Sequence, residues 1–452
     1  MDRFDAAIIG AGVTGVATAR RLAMAGLRVL LLEKGEDILS GASKANSALL
    51  HTGFDAPEGS LELRCMQQGY SEYMGLAQAM NLPVLKTSAM VVAWTEAQET
   101  DLQGILSAAH RNGVTDTRLI SRAEILSREP GLSPKARAAV LVPGEFVIDP
   151  WSPFHGYAQQ ILNLGGTIRR GTEVTGGAFD GQSWRIETAR ATFCADRIVN
   201  CAGLYGDRID TLLLGRTDFT IKPRKGQFIV FDKAAAKLLN SIILPVPDAR
   251  TKGVVLTPTI FGNLLVGPTA EETEDRHRAT VTRSALDMLQ QRAVEILPAL
   301  HDMPVTATYA GLRPATEFKE YRIHCDPARN WVTVGGIRST GLTASLGIAR
   351  HVADLLGAGP GESPKPPQMP NLAEHLPRDW QSPGYGEIVC HCEMVTRREI
   401  EAALNGPFPP GDLGGLKRRT RCAMGRCQGL NCMGRIAELT GGRLSPDIAV
   451  AP

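Results

Sequence analysis

One stretch near the start of the chain constrains the fold more than any other: Gly10-Ala11-Gly12-Val13-Thr14-Gly15, a G-x-G-x-x-G run set between two apolar segments. Ala6-Ala7-Ile8-Ile9 before it reads as a short strand. Val13 to Ala25 carries Ala and Leu at helical spacing, and Arg28-Val29-Leu30-Leu31-Leu32 reads as a second buried strand. A strand that turns on glycine into a helix offers the helix's unpaired amides and partial positive charge to a phosphate. Gly10 permits the tight turn, Gly12 lets backbone approach a pyrophosphate, and Gly15 lets helix and strand close on each other. Glu33 ends the second strand, 23 residues after Gly10, where a carboxylate accepts the ribose hydroxyls and disfavours a 2′-phosphate. These positions predict a dinucleotide site contacted by Gly10, Gly12, Thr14, Gly15 and Glu33.

Downstream, the pattern predicts helices near 60–80, 95–112, 121–129, 151–165 and 340–357. Ser121 stands as N-cap of the third, with Glu124 at the capping-box position. Strands are expected near 84–93, 138–143, 166–200, 226–232, 253–257, 263–266 and 331–336. Alternating elements after a glycine turn imply an α/β core, and the mid-chain strands imply a second, sheet-rich domain. Glycine makes up 47 of 452 residues, about a tenth against a usual ~7%, so backbone is approached closely somewhere. Residues 359–386 are rich in proline and glycine, which reads as a semi-rigid linker. The formal charge is only +2, which argues against a nucleic-acid binder or a protein held to membranes by bulk charge. No run approaches the ~18 apolar residues of a bilayer span, and Met1-Asp2-Arg3-Phe4-Asp5 lacks the features of a secretory signal. The expectation is a soluble, cytoplasmic protein.

Cysteine usage adds a second chemistry. Of nine, Cys390, Cys392, Cys422, Cys427 and Cys432 crowd the C-terminus, a poor disulfide framework and a good metal site. Cys390-His391-Cys392 and Cys427-x4-Cys432 place four thiolates on two short loops, suited to a [2Fe–2S] cluster, with all-thiolate zinc as the competing occupant. Cys422 is a fifth thiol, so a 422/427 pairing stays open. Cys65, Cys194, Cys201 and Cys325 read as packing.

Several segments carry a resemblance. Val199-Asn200-Cys201-Ala202-Gly203 resembles the N-x-A-G signature near the flavin nucleotide of FAD-dependent oxidoreductases, and Glu173-Val174 resembles the segment whose backbone meets the adenine. Ser43 through Gly53 resembles the stretch along the pyrophosphate toward the isoalloxazine, which implies contacts from Ser43, Asn46 and Ser47. Gly335 through Thr343 resembles the loop and helix start facing the flavin's pyrimidine edge, implying Arg338, Gly341, Leu342 and Thr343 there. Together these are similar to the D-amino-acid-oxidase-like superfamily. Within it, Asn46-Ser47…His51, Pro223-Arg224-Lys225-Gly226-Gln227, Val266 to Glu271 and Ala310-Gly311-Leu312-Arg313-Pro314 resemble the glycerol-3-phosphate dehydrogenase branch. L-2-hydroxyglutarate oxidases share part of this pattern. Residues 421–429 resemble the module related to bacterioferritin-associated ferredoxin, although its free-standing members end in C-x2-C rather than C-x4-C. The neighbouring run Lys417-Arg418-Arg419-Thr420-Arg421 reads either as neutralising cluster charge or as a solvated basic face.

The fold class this implies is α/β: a Rossmann-like FAD-binding domain (1–85, 150–215 and 325–358) with a sheet-rich substrate domain inserted (86–149 and 216–324). A linker (359–386) and a small helical [2Fe–2S] module (387–452) follow. Flavin chemistry needs a donor C–H over the ring and a group that takes the hydroxyl proton. His51 is the candidate substrate contact or base, its bland reading being a histidine satisfied by backbone. Arg313 sits where the resembling dehydrogenases bind an anion, with Arg322 and Lys252 as further candidates that read equally well as surface ion pairs. The reading is a dehydrogenase of a small anionic secondary alcohol, passing electrons through the cluster to an external carrier or partner redox subunit. An amine or 2-hydroxy-acid oxidising enzyme, and a non-catalytic zinc-bound docking subunit, are the alternatives.

Overall fold

The structure is a computed structural model that describes residues 2–247 and 253–445. Strand β1 (Arg3–Ile9), helix α1 (Val13–Met24) and strand β2 (Val29–Leu32) form the expected first unit, with Ile8 beside Leu31 in parallel register. On its other edge β1 pairs with the strand Thr192–Asn200, Ile8 beside Val199, and that strand pairs in turn with Trp331–Gly335. All of these are parallel, and their apolar runs are buried on both faces as such strands require. An antiparallel hairpin, Val174–Phe179 with Trp184–Thr188, extends the sheet at one side. The long strand expected over 166–200 is therefore four strands.

A second sheet of nine strands gathers segments from 89 to 313. Arg224–Phe231 is its hub, flanked by Leu264–Gly267 and by Val305–Arg313, a strand without a continuous apolar run to announce it. Phe231, Ile243, Leu256, Val266, Leu289 and Ile296 fill its core, under the helix Arg283–Ile296. The stretch expected as one strand over 84–93 splits: Ala89–Ala93 joins this sheet, while Val84–Leu85 pairs with Phe146–Ile148, which also pairs with Leu49–Leu50. That three-stranded piece brings residue 51 beside residue 145.

The segment 359–386 connects without standing off. Met369, Leu372 and Ala373 are buried in the main core, and Met369 and Glu374 donate their amides to Met80 and Ile260. Enough apolar side chains lie along it to fasten it to the body, so it is a packed strap rather than a spacer. Beyond it a hairpin, Ile388–Cys390 with Val395–Thr396, leads into helices Arg397–Asn405, Leu413–Thr420 and Met433–Thr440. Thr396 and Glu399 form a capping box at the first of these. Among the described residues no helix is long and apolar enough to cross a membrane.

Candidate active site and thiol cluster

The glycine turn closes as its sequence requires. Gly10 has φ +100°, and a Cβ there would lie 2.6 Å from the Cys201 carbonyl; one at Gly15 would lie 1.8 Å from the Gly10 carbonyl. At the start of α1 the Val13 amide donates to Ser43 Oγ at 3.0 Å, and Thr14 contacts the Cys201 thiol. Glu33 accepts from the Ala11 and Gly35 amides at 2.7 and 2.8 Å. Burial nevertheless pushes its carboxyl above the usual range, over the opposing pull of those two amides. Ala202 donates to the Asn200 side chain at 3.1 Å, and Gly203, with φ +55°, follows it. Val174 is buried two residues beyond Thr172, whose amide bonds the Glu33 carbonyl. Thus Gly10, Gly12, Gly15, Thr14, Ser43, Ala202 and Gly203 meet around the N-terminus of α1.

His51 follows the short strand Leu49–Leu50. Its Nδ1 lies 2.7 Å from Oε2 of Glu145, a fully buried carboxylate whose other oxygen accepts from the Thr52 amide at 2.6 Å and hydroxyl at 2.9 Å. The His51 amide donates to Thr343 Oγ1 at 3.0 Å, in the first turn of the helix Gly341–Leu355 that Gly341 and Leu342 begin. Asn46 ties the segment together, donating to the Ser43 carbonyl and accepting from the Ala48 amide; Ser47 lies half-buried between them. Glu145 carries no motif, and sequence reasoning missed it.

Arg313 ends the strand Val305–Arg313 and bonds only carbonyls among the described residues, Thr269 O at 2.7 Å and Arg224 O at 3.4 Å. Burial, with Arg224 and Arg338 nearby, pushes its guanidinium down to about 10. Arg224 and Arg338 line the neighbouring cleft of about 1160 Å³. Arg322 is not part of this group: it stacks on Phe318 at 4.3 Å opposite Gly335. Lys252 lies outside the described residues.

The C-terminal thiols meet in two pairs. Cys390 contacts Cys432, and Cys392 contacts Cys427. Among the described residues no three His, Cys, Asp or Glu side chains surround a single point. Backbone amides point at the sulfurs: those of Asn431, Gly429 and Leu430 hold the Cys427 thiol below its ordinary value, and those of Ala423 and Glu393 reach Cys390. Cys422 is fully buried next to Thr420, and burial pushes it up to about 12.

Residues 5–355 match the family described as FAD dependent oxidoreductase. The chain belongs to this family. Residues 388–440 of this FAD-dependent oxidoreductase match the BFD-like [2Fe-2S] binding domain. It is 31% identical to a glycerol 3-phosphate dehydrogenase of Caloramator mitchellensis over 98% of this chain and 95% of the relative. An L-2-hydroxyglutarate dehydrogenase of Indibacter alkaliphilus is 30% identical but covers 59% of this chain and 68% of its own length. Dithionite-reduced L-alpha-glycerophosphate oxidase from Mycoplasma pneumoniae, solved with FAD bound, superposes with a TM-score of 0.74 at 29% identity, covering 80% of this chain and 97% of that one.

The residues present fit both cofactors of this FAD-dependent oxidoreductase. The close approach at Gly10 and Gly15 opens the helix N-terminus to a pyrophosphate, with Glu33 beside it for a ribose. Two thiol pairs with amides directed at sulfur suit a two-iron, four-thiolate centre, whose potential such hydrogen bonds tune. The arginines flanking the thiols are not a solvated face: Arg418, Arg419 and Arg421 are all buried, and Arg421 bonds Glu393 at 2.8 Å while lying over the Phe261 ring.

Proposed function

We propose that this FAD-dependent oxidoreductase oxidises sn-glycerol 3-phosphate to dihydroxyacetone phosphate and sends the electrons through its [2Fe–2S] module to an external redox partner. The observation that carries the substrate is the match to a glycerol 3-phosphate dehydrogenase over both modules of the chain, 98% of its length. Relatives acting on L-2-hydroxyglutarate match only about three fifths of it.

Bound FAD supplies the acceptor for the hydride lost from the alcohol carbon. His51 takes the hydroxyl proton. Because Nδ1 faces the Glu145 carboxylate, that nitrogen carries the hydrogen and Nε2 is the basic one. Arg313, a half-buried cation bonded only to carbonyls among the described residues, takes the phosphate, with Arg224 and Arg338 adding positive charge behind it. Lys252 is a further candidate ligand of the phosphate, and Arg322 a more distant one. Gly10, Gly12, Thr14, Gly15, Glu33, Ser43, Asn46, Ser47, Val174, Ala202, Gly203, Arg338, Gly341, Leu342 and Thr343 form the FAD site, and Cys390, Cys392, Cys427 and Cys432 hold the cluster. The two large sheets support a division into an FAD-binding part (1–85, 150–215, 325–358) and a substrate part (86–149, 216–324). Nine cysteines with no disulfide among the described residues suit a reducing, cytoplasmic setting.

Steady-state assays with an artificial acceptor, comparing sn-glycerol 3-phosphate, L-2-hydroxyglutarate and a panel of amino acids and opines, test the reading. Preference for glycerol 3-phosphate by kcat/KM supports it, and preference for a hydroxy acid or amine overturns it.

A further inference from the structure

The loop between Glu33 and the 3-10 turn Ala42–Lys44 belongs to the nucleotide cradle at both ends. Glu33 holds the Ala11 amide, and Leu39 donates its own amide to the Ala11 carbonyl at 2.9 Å. The middle of this loop is gripped by the C-terminal module. Asp37 is fully buried and takes Arg419 through two hydrogen bonds, Nη1 to Oδ2 at 2.6 Å and Nη2 to Oδ1 at 3.1 Å. Arg418 donates to the Ile38 carbonyl at 3.0 Å, and the Gly411 amide reaches Asp37 at 3.2 Å. Arg170 bridges the two parts, bonding Asp37 and the Pro409 carbonyl. Contact is so close that a Cβ on Gly415 would lie 1.7 Å from Asp37 Oδ2, and one on Gly411 1.8 Å from the Glu36 carbonyl.

The helix that carries this clamp, Leu413–Thr420, runs directly into the thiol cluster. Arg421, at its end, bonds Glu393, the neighbour of Cys392; Leu416 and Cys422 pack in one apolar cluster with Cys390 and Cys432. Arg419, bonded to the ribose loop, and Arg421, bonded to the neighbour of Cys392, are therefore only two positions apart. Metal ligation orders the loops that bear its ligands. A carboxylate buried without its guanidinium is strongly unfavourable, so loosening this helix would free the Asp37 loop as well.

We propose that the Arg419–Asp37 clamp couples the two cofactor sites, so that an assembled cluster module holds the 34–41 loop in the shape that retains FAD, and loss of the cluster loosens FAD. Arg419 and Asp37 are positioning residues. The coupling does not depend on which alcohol the enzyme oxidises, and as a free energy between sites it acts in both directions.

The test measures FAD release from the anaerobic holoenzyme by the rise in flavin fluorescence on dilution, before and after iron is stripped with a chelator. Wild type, Arg419→Ala, Asp37→Asn and the surface control Arg397→Ala are compared. Iron removal is expected to speed FAD release from wild type and from the control by about tenfold or more. Arg419→Ala and Asp37→Asn are expected to release FAD rapidly with iron and sulfide still bound, and to respond little to chelation. A purely structural role for the clamp would lower thermal stability without abolishing that response. Equal FAD release from iron-loaded and iron-free wild type overturns the proposal, as does an Arg419→Ala protein that still responds like wild type. Should the variants not fold, the wild-type comparison alone decides.

Discussion

A histidine that takes a proton from an alcohol must present one nitrogen and commit the other. Glu145 commits Nδ1 of His51, and the Thr52 amide and hydroxyl fix the carboxylate in turn. In Glu145→Gln the amide nitrogen competes for the same places, so the wrong tautomer gains ground. The rate of flavin reduction in stopped flow should fall roughly 10- to 100-fold with KM little changed, whereas His51→Gln should lose about 10²–10⁴-fold; both should keep FAD. Arg313→Gln should instead raise KM for glycerol 3-phosphate by about 10- to 100-fold, the loss of a charge-assisted pair worth ~1.5–3 kcal/mol. The depressed Arg313 value gives this a pH signature. Its cation is complete well below pH 10 and is lost as pH rises through about 10, so kcat/KM should fall across that range in wild type and stay flat in the variant. His51 and Arg313 stand out as candidates in the sequence because they sit in extended stretches resembling a family. Glu145 does not, since a lone carboxylate in a Gly144-Glu145 turn has neither period nor spacing, and only pairing of Leu49–Leu50 with Phe146–Ile148 brings it to His51.

The helices Leu61–Ala77 and Gly341–Leu355 decide where Thr343, and with it His51, stands. They cross backbone to backbone: a Cβ on Gly69 would lie 2.0 Å from the Thr343 carbonyl, and one on Gly347 2.1 Å from the Cys65 carbonyl. Gly69→Ala or Gly347→Ala should therefore push the helices apart and destabilise the protein by about 1–3 kcal/mol in urea unfolding, with weaker FAD retention. The first βαβ unit was readable because its periods and its glycines fall within thirty-odd residues. This crossing was not, because it depends on two glycines almost three hundred positions apart. Val305–Arg313 escaped notice for a related reason: Thr, Ala and Gly dominate it, and pairing with Arg224–Phe231 holds it in the sheet rather than any apolar stripe of its own. The packing of the proline-rich strap was not readable because composition reports stiffness, and burial of Met369 and Leu372 depends on what they meet.

At the scale of the molecule, the iron–sulfur module is fastened to the oxidoreductase body by ion pairs of unlike burial. Burial would raise the Asp37 carboxyl, but Arg419, Arg418 and Arg170 outweigh it and hold the group below its ordinary 3.8; Arg426 holds Asp232 down to about 2. Both carboxyls are depressed in the docked structure, so their contribution is complete above the ordinary carboxyl range and is lost as pH falls below it, through about 2 for Asp232. The Asp232 part is discounted by solvent, because Arg426 is largely exposed and its pair is screened. Limited proteolysis across an acid titration should show the module protected down to about pH 4 and released below; release near pH 6 would count against this account of the interface. The account as a whole rests on electrons leaving a glycerol phosphate through flavin and iron in one chain. Anaerobic titration of the FAD- and iron-loaded enzyme with sn-glycerol 3-phosphate tests it most directly. Bleaching of the flavin band together with the appearance of a reduced-cluster paramagnetic signal is the predicted result, and an oxidised flavin spectrum unchanged by excess substrate would contradict it.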